Sequence, residues 1–84
     1  MDIKMLDYVV MIAKCESISK AAEKLYLTQS GLNQQLLKLE RNLGIKLFER
    51  DHHHFRITDA GKIYVRNAME ILRIQRNTLM QLSD

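Results

Sequence analysis

The sequence predicts one small domain that is mainly α-helical, with a single β-hairpin and a long C-terminal helix. Apolar residues recur at three- and four-residue steps in several separate segments, which is the helical period. Polar residues suited to capping a helix stand ahead of these segments. Between the last two, short alternating runs flank a polar tip, as strands of a hairpin do. The chain has 84 residues, below the ~100–200 usual for a domain, so it holds one core and no second lobe. With 46% hydrophobic and 27% charged residues it has the balance of a folded domain, not that of a disordered chain. Proline is absent and glycine occurs only at Gly31, Gly44 and Gly61, so helices should dominate.

Ile3, Leu6, Val10 and Ala13 keep the helical period, Val9 widens the stripe and Asp2 stands at the N-cap position, which predicts a first helix over residues 3–14. Glu16-Ser17-Ile18-Ser19 then interrupts the pattern, with Ser19 expected to cap a short second helix through Ala21, Ala22 and Leu25. The paired alanines allow a neighbouring helix to approach closely. Tyr26-Leu27-Thr28 makes the next break, and Thr28 caps a third helix whose buried face is expected to be Leu32, Leu36, Leu39 and Leu43. Two helices parted by so short a break form a helix-turn-helix. Gly44 ends the third helix by supplying a left-handed residue.

Residues 45–50 and 55–58 then alternate apolar and polar around Asp51-His52-His53-His54, which predicts a hairpin, although the tip lacks the Asn-Gly or Asp-Gly of the tightest turns. Such a hairpin after a helix-turn-helix is a wing. Thr58 caps and Asp59 charges the start of a last helix over residues 60–81. Val65, Ala68, Met69, Leu72 and Leu79 form one stripe on it, with Tyr64, Ile71, Thr78 and Leu82 beside them. This apolar arc is wider than one small core covers, and a second chain is expected on the remainder.

Composition narrows the function. The formal charge of +3 leans weakly toward an anionic partner, because acidic residues are interspersed with the basic ones. A single cysteine, Cys15, rules out an intrachain disulfide and suits a reducing cytosol; near the end of the first helix it reads as a small, half-buried hydrophobe and not as a redox sensor. No apolar run approaches the ~18 residues of a membrane span and no signal segment is expected, so the protein reads as soluble and cytoplasmic. No nucleophile pairs with a histidine base, no carboxylates pair and no glycine loop cradles phosphate, so neither an enzyme nor a bound cofactor is expected.

Four blocks go beyond periodicity: Ser17-Ile18-Ser19-Lys20-Ala21-Ala22-Glu23-Lys24-Leu25; Thr28-Gln29 with Leu32 through Leu39-Glu40; Leu43-Gly44-Ile45-Lys46-Leu47-Phe48-Glu49-Arg50; and Ile57-Thr58-Asp59-Ala60-Gly61. In this order and spacing, over residues 1–82, the sequence resembles the N-terminal domain of LysR-type bacterial transcriptional regulators. The resemblance implies a winged helix-turn-helix over residues 1–58, a linker and dimerisation helix over 59–84, and an effector-binding domain beyond it, so the chain reads as part of a longer protein whose small-molecule effector binds elsewhere. It departs from the family where Gln29-Ser30-Gly31 replaces Gln-Pro-Ala or Gln-Pro-Ser, where Asn33-Gln34 replaces Ser followed by Arg or Lys, at the His52-His53-His54 tip, and at Leu37, more often a charged position.

The N-terminal turns of a recognition helix enter the major groove, whose base edges present a donor and acceptor code. With a recognition helix at 29–43, Gln29, Ser30, Asn33 and Gln34 are the expected base contacts, and because Asn and Gln pair bidentately with adenine, half-sites containing A·T pairs are expected. Gly31 inside the helix lowers its propensity by about 1 kcal/mol relative to alanine, which fits either close approach to the DNA backbone or simple drift. Thr28, Lys38, Arg50, Arg56 and Thr58, together with His52, His53 and His54 in a wing at 46–58, are the expected contacts to phosphate or minor groove. Three adjacent histidines on a hairpin alternate in direction and no cysteine or carboxylate cluster completes a site, so no metal is expected. Val65, Met69, Leu72 and Leu79 are the expected homodimer contacts, placing two recognition helices on an inverted repeat in double-stranded DNA. The competing reading is a winged-helix module that docks a protein through Leu37 and the last helix; a metal sensor built on the histidine run ranks below it.

Overall fold

In the computed structural model, residues 2–52 and 54–83 are described. Helix α1 (Ile3–Cys15) starts where Asp2, in extended conformation, accepts the Lys4 amide at 2.9 Å, and ends where Glu16 turns left-handed at φ 52°. Helix α2 (Ile18–Leu25) is capped by Ser17 and not by Ser19. Ser17 is the extended residue, and its hydroxyl accepts the Lys20 amide at 3.2 Å; Ser19 is already helical, its hydroxyl 3.1 Å from that of Ser17. The turn into the next helix is made by Tyr26, left-handed at φ 58°, whose amide donates to the carbonyls of Ala22 and Glu23.

Helix α3 (Gln29–Leu43) has the expected ends: the Thr28 hydroxyl accepts the Gly31 amide at 3.0 Å, and Gly44 closes the helix at φ 72°. Strands β1 (Phe48–Arg50) and β2 (Phe55–Ile57) pair antiparallel, with Phe48 opposite Ile57, Glu49 opposite Arg56 and Arg50 opposite Phe55. The Phe48 and Phe55 rings stack at 5.1 Å. Helix α4 (Asp59–Leu82) begins at Thr58 and gives the molecule its long axis of 49 Å. The result is a winged helix-turn-helix with an extended C-terminal helix.

The core has two parts. Val9 and Ile12 of α1, Ala21 and Ala22 of α2, Leu32 and Leu36 of α3, and Leu47 and Phe48 at the base of the hairpin form the first. Leu6 and Val10 of α1 meet Ala68 and Leu72 of α4 in the second. The small Ala21 and Ala22 side chains, both buried, stand where α2 packs on its neighbours.

The expected leucine face of α3 holds for its first half only. Leu32 and Leu36 are fully buried and Leu39 is half-buried, but Leu43 is 47% exposed and Glu40 takes the inner position at 8% exposure. The reason is electrostatic. One carboxylate oxygen of Glu40 accepts the amides of Leu47 at 2.7 Å and Phe48 at 3.2 Å, so the charge is satisfied by backbone donors at the start of β1. Glu40 thereby ties the hairpin to the end of α3.

Helix α4 is tied to the hairpin in turn. The Thr58 hydroxyl accepts the Gly61 amide at 2.9 Å and donates to the Lys46 carbonyl at 2.7 Å, while the Thr58 amide donates to the Leu47 carbonyl at 2.9 Å. Gly61 is buried against that same backbone: a Cβ there would lie 2.1 Å from the Leu47 oxygen. Beyond Leu72, residues 73–83 are all exposed, Ile74, Leu79, Met80 and Leu82 among them.

Candidate nucleic-acid interface

The outer side of α3 is polar at its first turns because its apolar side is spent on the core. Gln29, Ser30 and Gln34 are exposed and Asn33 is half-buried at the edge facing the hairpin. Lys38 lies one turn beyond Gln34, also exposed. These side chains lie along the first three turns of α3, with Gln29 and Ser30 at the positive end of the helix dipole. The Thr28 hydroxyl at its margin is engaged as the N-cap acceptor, which leaves it a hydroxyl proton to donate.

The hairpin reaches that surface through Arg50, whose Nη1 donates to Oδ1 of Asn33. Arg50, Asp51 and His54 of the hairpin share a shallow cleft of about 370 Å³ with Gln29 of α3 and with Ser17 and Ser19 at the start of α2. The tip is closed by two bonds between the same residues: the Asp51 amide donates to the His54 carbonyl at 3.0 Å, and the His54 amide to Asp51 Oδ1 at 2.7 Å. The His54 ring nitrogen Nδ1 stands 3.4 Å from that carboxylate. His52 is exposed, and His53 lies outside the described residues. Among the described residues no three His, Cys, Asp or Glu side chains gather as metal ligands would.

Arg56 is exposed and sits opposite the exposed Glu49 in the ladder, so an acid and a base occupy facing positions of the hairpin. Thr58 differs from expectation in its surroundings. Its hydroxyl donates to Lys46 and accepts from Gly61, so the group serves the junction between hairpin and α4, and its proton is not directed outward. Of the expected dimer residues, Met69 and Leu79 are exposed and Val65 is half-buried, but Leu72 is only 5% exposed and packs on Leu6 and Val10 of its own chain. It belongs to the core because α4 crosses α1 at that turn.

One residue and one contact were not anticipated. Glu40 holds the wing root, and its signal was a charged residue set among Leu32, Leu36, Leu39 and Leu43 at helical spacing. The pairing of Arg50 with Asn33, 17 residues apart, had no local signal at all.

Residues 3–62 match the family model described as the bacterial regulatory helix-turn-helix protein, lysR family. The chain belongs to this family. Over its full length the lysR-family chain is 38% identical to the uncharacterized HTH-type transcriptional regulator YcgK of Bacillus subtilis, covering 26% of that protein. It is 35% identical over 79 residues to the HTH-type transcriptional regulator TfdT of Cupriavidus pinatubonensis, covering 93% of this chain and 35% of that one. The chain thus spans about a quarter to a third of these relatives. Among solved structures it is similar to the CbnR DNA-binding domain in complex with DNA, with TM-score 0.90 and 28% identity over 99% of this chain and 95% of that one. The BenM DNA-binding domain bound to catB site 1 DNA gives TM-score 0.93 and 30% identity, covering 99% of this chain and 92% of that one. None of the helices among the described residues is long and apolar enough to cross a membrane.

Proposed function

We propose that this lysR-family chain binds double-stranded DNA sequence-specifically as the DNA-reading part of a bacterial transcriptional regulator, working in the cytoplasm where its operator lies. The observation that carries this reading is the likeness, along 99% of the chain, to domains solved in complex with DNA. Helix α3 enters the major groove, with Gln29, Ser30, Asn33 and Gln34 toward base edges. Lys38, Arg56, His52 and His54 lie toward phosphates or the minor groove, fixing register without reading sequence, and Arg50 stands between them and Asn33. Thr28 can donate to a phosphate, whereas Thr58 acts from behind by holding the wing root.

Residues 1–58 serve as the reading unit and 59–84 as the linker segment, although Ala68 and Leu72 of α4 also complete the core. Two chains pair through the outer half of α4, where residues 73–83 leave an apolar surface uncovered, and Met69 and Leu79 take the place in the interface that Leu72 vacates. The dimer presents two recognition helices to an inverted repeat, with half-sites about one helical turn, roughly 34–36 Å, or a multiple apart. Any small-molecule effector acts through a domain outside these residues.

Selection from a pool of randomised duplexes, followed by a salt titration of the best binder, tests this. Enrichment of an inverted repeat, with affinity falling steeply as salt rises, is the expected result. A folded, dimeric chain that enriches no sequence would sink it and favour a module that docks proteins through Leu37 and α4.

A further inference from the structure

Arg50 of the hairpin and Asn33 of α3 form a side-chain pair, 17 residues apart in sequence. Arginine has five N–H donors and no acceptor, so the only atom of the Asn33 amide that can face it is Oδ1. This fixes the amide in one of its two orientations, with Oδ1 and not Nδ2 toward the guanidinium. Asn33 is half-buried at that edge, while Gln29 and Gln34 are exposed on the same helix.

An asparagine that reads adenine needs both ends of its amide: Nδ2 donates to N7 while Oδ1 accepts from the N6 amino group. In this chain one of the two lone pairs of Oδ1 already accepts from the Arg50 guanidinium, and the other lies beside that positive charge. An adenine amino group approaching there meets donors and positive charge. Guanine presents two adjacent acceptors, O6 and N7, and no donor in the major groove, which suits a surface offering donors only.

We propose that Arg50 is a specificity-determining residue whose charge disfavours a second donor at Asn33 Oδ1 and leaves Asn33 to read through its Nδ2 donors, so that the base facing Asn33 is guanine and not the adenine an unpaired asparagine selects. The inference rests on the DNA-binding reading above and sharpens it at one position of the half-site. Gln29 and Gln34 keep both amide ends and remain suited to adenine.

The test compares the 84-residue chain with Asn33→Ala and Arg50→Met, the latter keeping an unbranched side chain of similar reach without donors. Each is taken through the same duplex selection, and binding is then measured on the selected site with all four bases substituted at every position. Arg50 is exposed, and circular dichroism checks that each variant folds. Asn33→Ala should lose discrimination at one position of the half-site, by roughly 5- to 150-fold between the preferred and the wrong base. In the unaltered chain that position should be guanine, and in Arg50→Met it should change to adenine while the other positions keep their order. A weaker but unchanged base order in Arg50→Met, or adenine at that position in the unaltered chain, overturns the proposal and leaves sequence-specific binding standing. No enrichment by the unaltered chain overturns the DNA-binding reading, and this inference with it.

Discussion

Replacing Gly61 with alanine tests whether the junction between wing and α4 is as rigid as its contacts imply. The added Cβ would lie 2.1 Å from the Leu47 carbonyl oxygen, 2.7 Å from Cγ1 of Ile57 and 3.0 Å from the Leu47 carbonyl carbon. Carbon and oxygen ordinarily come no closer than roughly 3.3 Å, so helix and hairpin must separate by more than about 1 Å. Two of the three close atoms are backbone and cannot turn aside. The separation stretches the bond from the Thr58 amide to the Leu47 carbonyl and that from the Thr58 hydroxyl to the Lys46 carbonyl. Overpacking with a backbone shift costs about 1–3 kcal/mol. Each weakened hydrogen bond adds about 0.5–1.5 kcal/mol, and the better helix propensity of alanine returns about 1 kcal/mol. The net loss is about 3 kcal/mol, and with each kcal/mol lowering Tm by about 4–8 °C in a chain of this size, the expected fall is roughly 12–24 °C. Thermal unfolding followed by circular dichroism reads it directly. Gly31→Ala is the control: its Cβ would meet only the Thr28 hydroxyl, a side-chain end that can rotate. There the loss of a cap, about 1 kcal/mol, is offset by a similar gain in helix propensity, and Tm should stay within a few degrees. A Gly61→Ala protein that melts as high as the unaltered chain would refute the reasoning about the junction.

Glu40→Ala should destabilise the domain by about 2–4 kcal/mol, because the Leu47 and Phe48 amides lose their shared acceptor inside the fold. Glu40→Gln, which keeps an oxygen there, should recover most of that in urea titrations. Burial, aided by the nearby Asp2 carboxylate, pushes the Tyr64 hydroxyl above its ordinary pKa. A folded pKa above the unfolded one means stability that is whole below the unfolded value and declines as pH rises through the folded one. Unfolding at increasing alkaline pH should therefore show a falling limb that Tyr64→Phe flattens. Met69→Asp and Leu79→Asp, both at exposed sites, should yield a folded monomer in equilibrium sedimentation, whereas Leu72→Ala should cost about 2–5 kcal/mol of stability through the α1–α4 core. A dimer undisturbed by both aspartates would remove the outer half of α4 from the interface.

Helix periods, caps and turns were legible in the sequence because each depends on residues within one or two turns of each other. Asp2, Thr28, Gly44 and Thr58 stand where the structure uses them, and α3 spans the expected residues. The displaced cap, Ser17 in place of Ser19, is a choice between two equivalent hydroxyls that only the path of the chain after Glu16 decides. The left-handed ends at Glu16 and Tyr26 also carry no glycine to announce them. Periodicity likewise could not separate Leu72 from Met69 and Leu79, since it places all three on one stripe; the crossing of α1 over α4 buries the first and leaves the other two in water.

By itself, then, the chain's order of residues determined four helices, a wing, their connection and a polar first stretch of α3, all from local hydrogen bonding and the side on which apolar groups fall. The packed molecule decided the rest: that Glu40 turns inward to two strand amides, that Gly61 lies against the Leu47 backbone, and that Arg50 holds Asn33. Each of these joins groups far apart in sequence, and each follows from where folding brings unpaired donors, acceptors and bare backbone together.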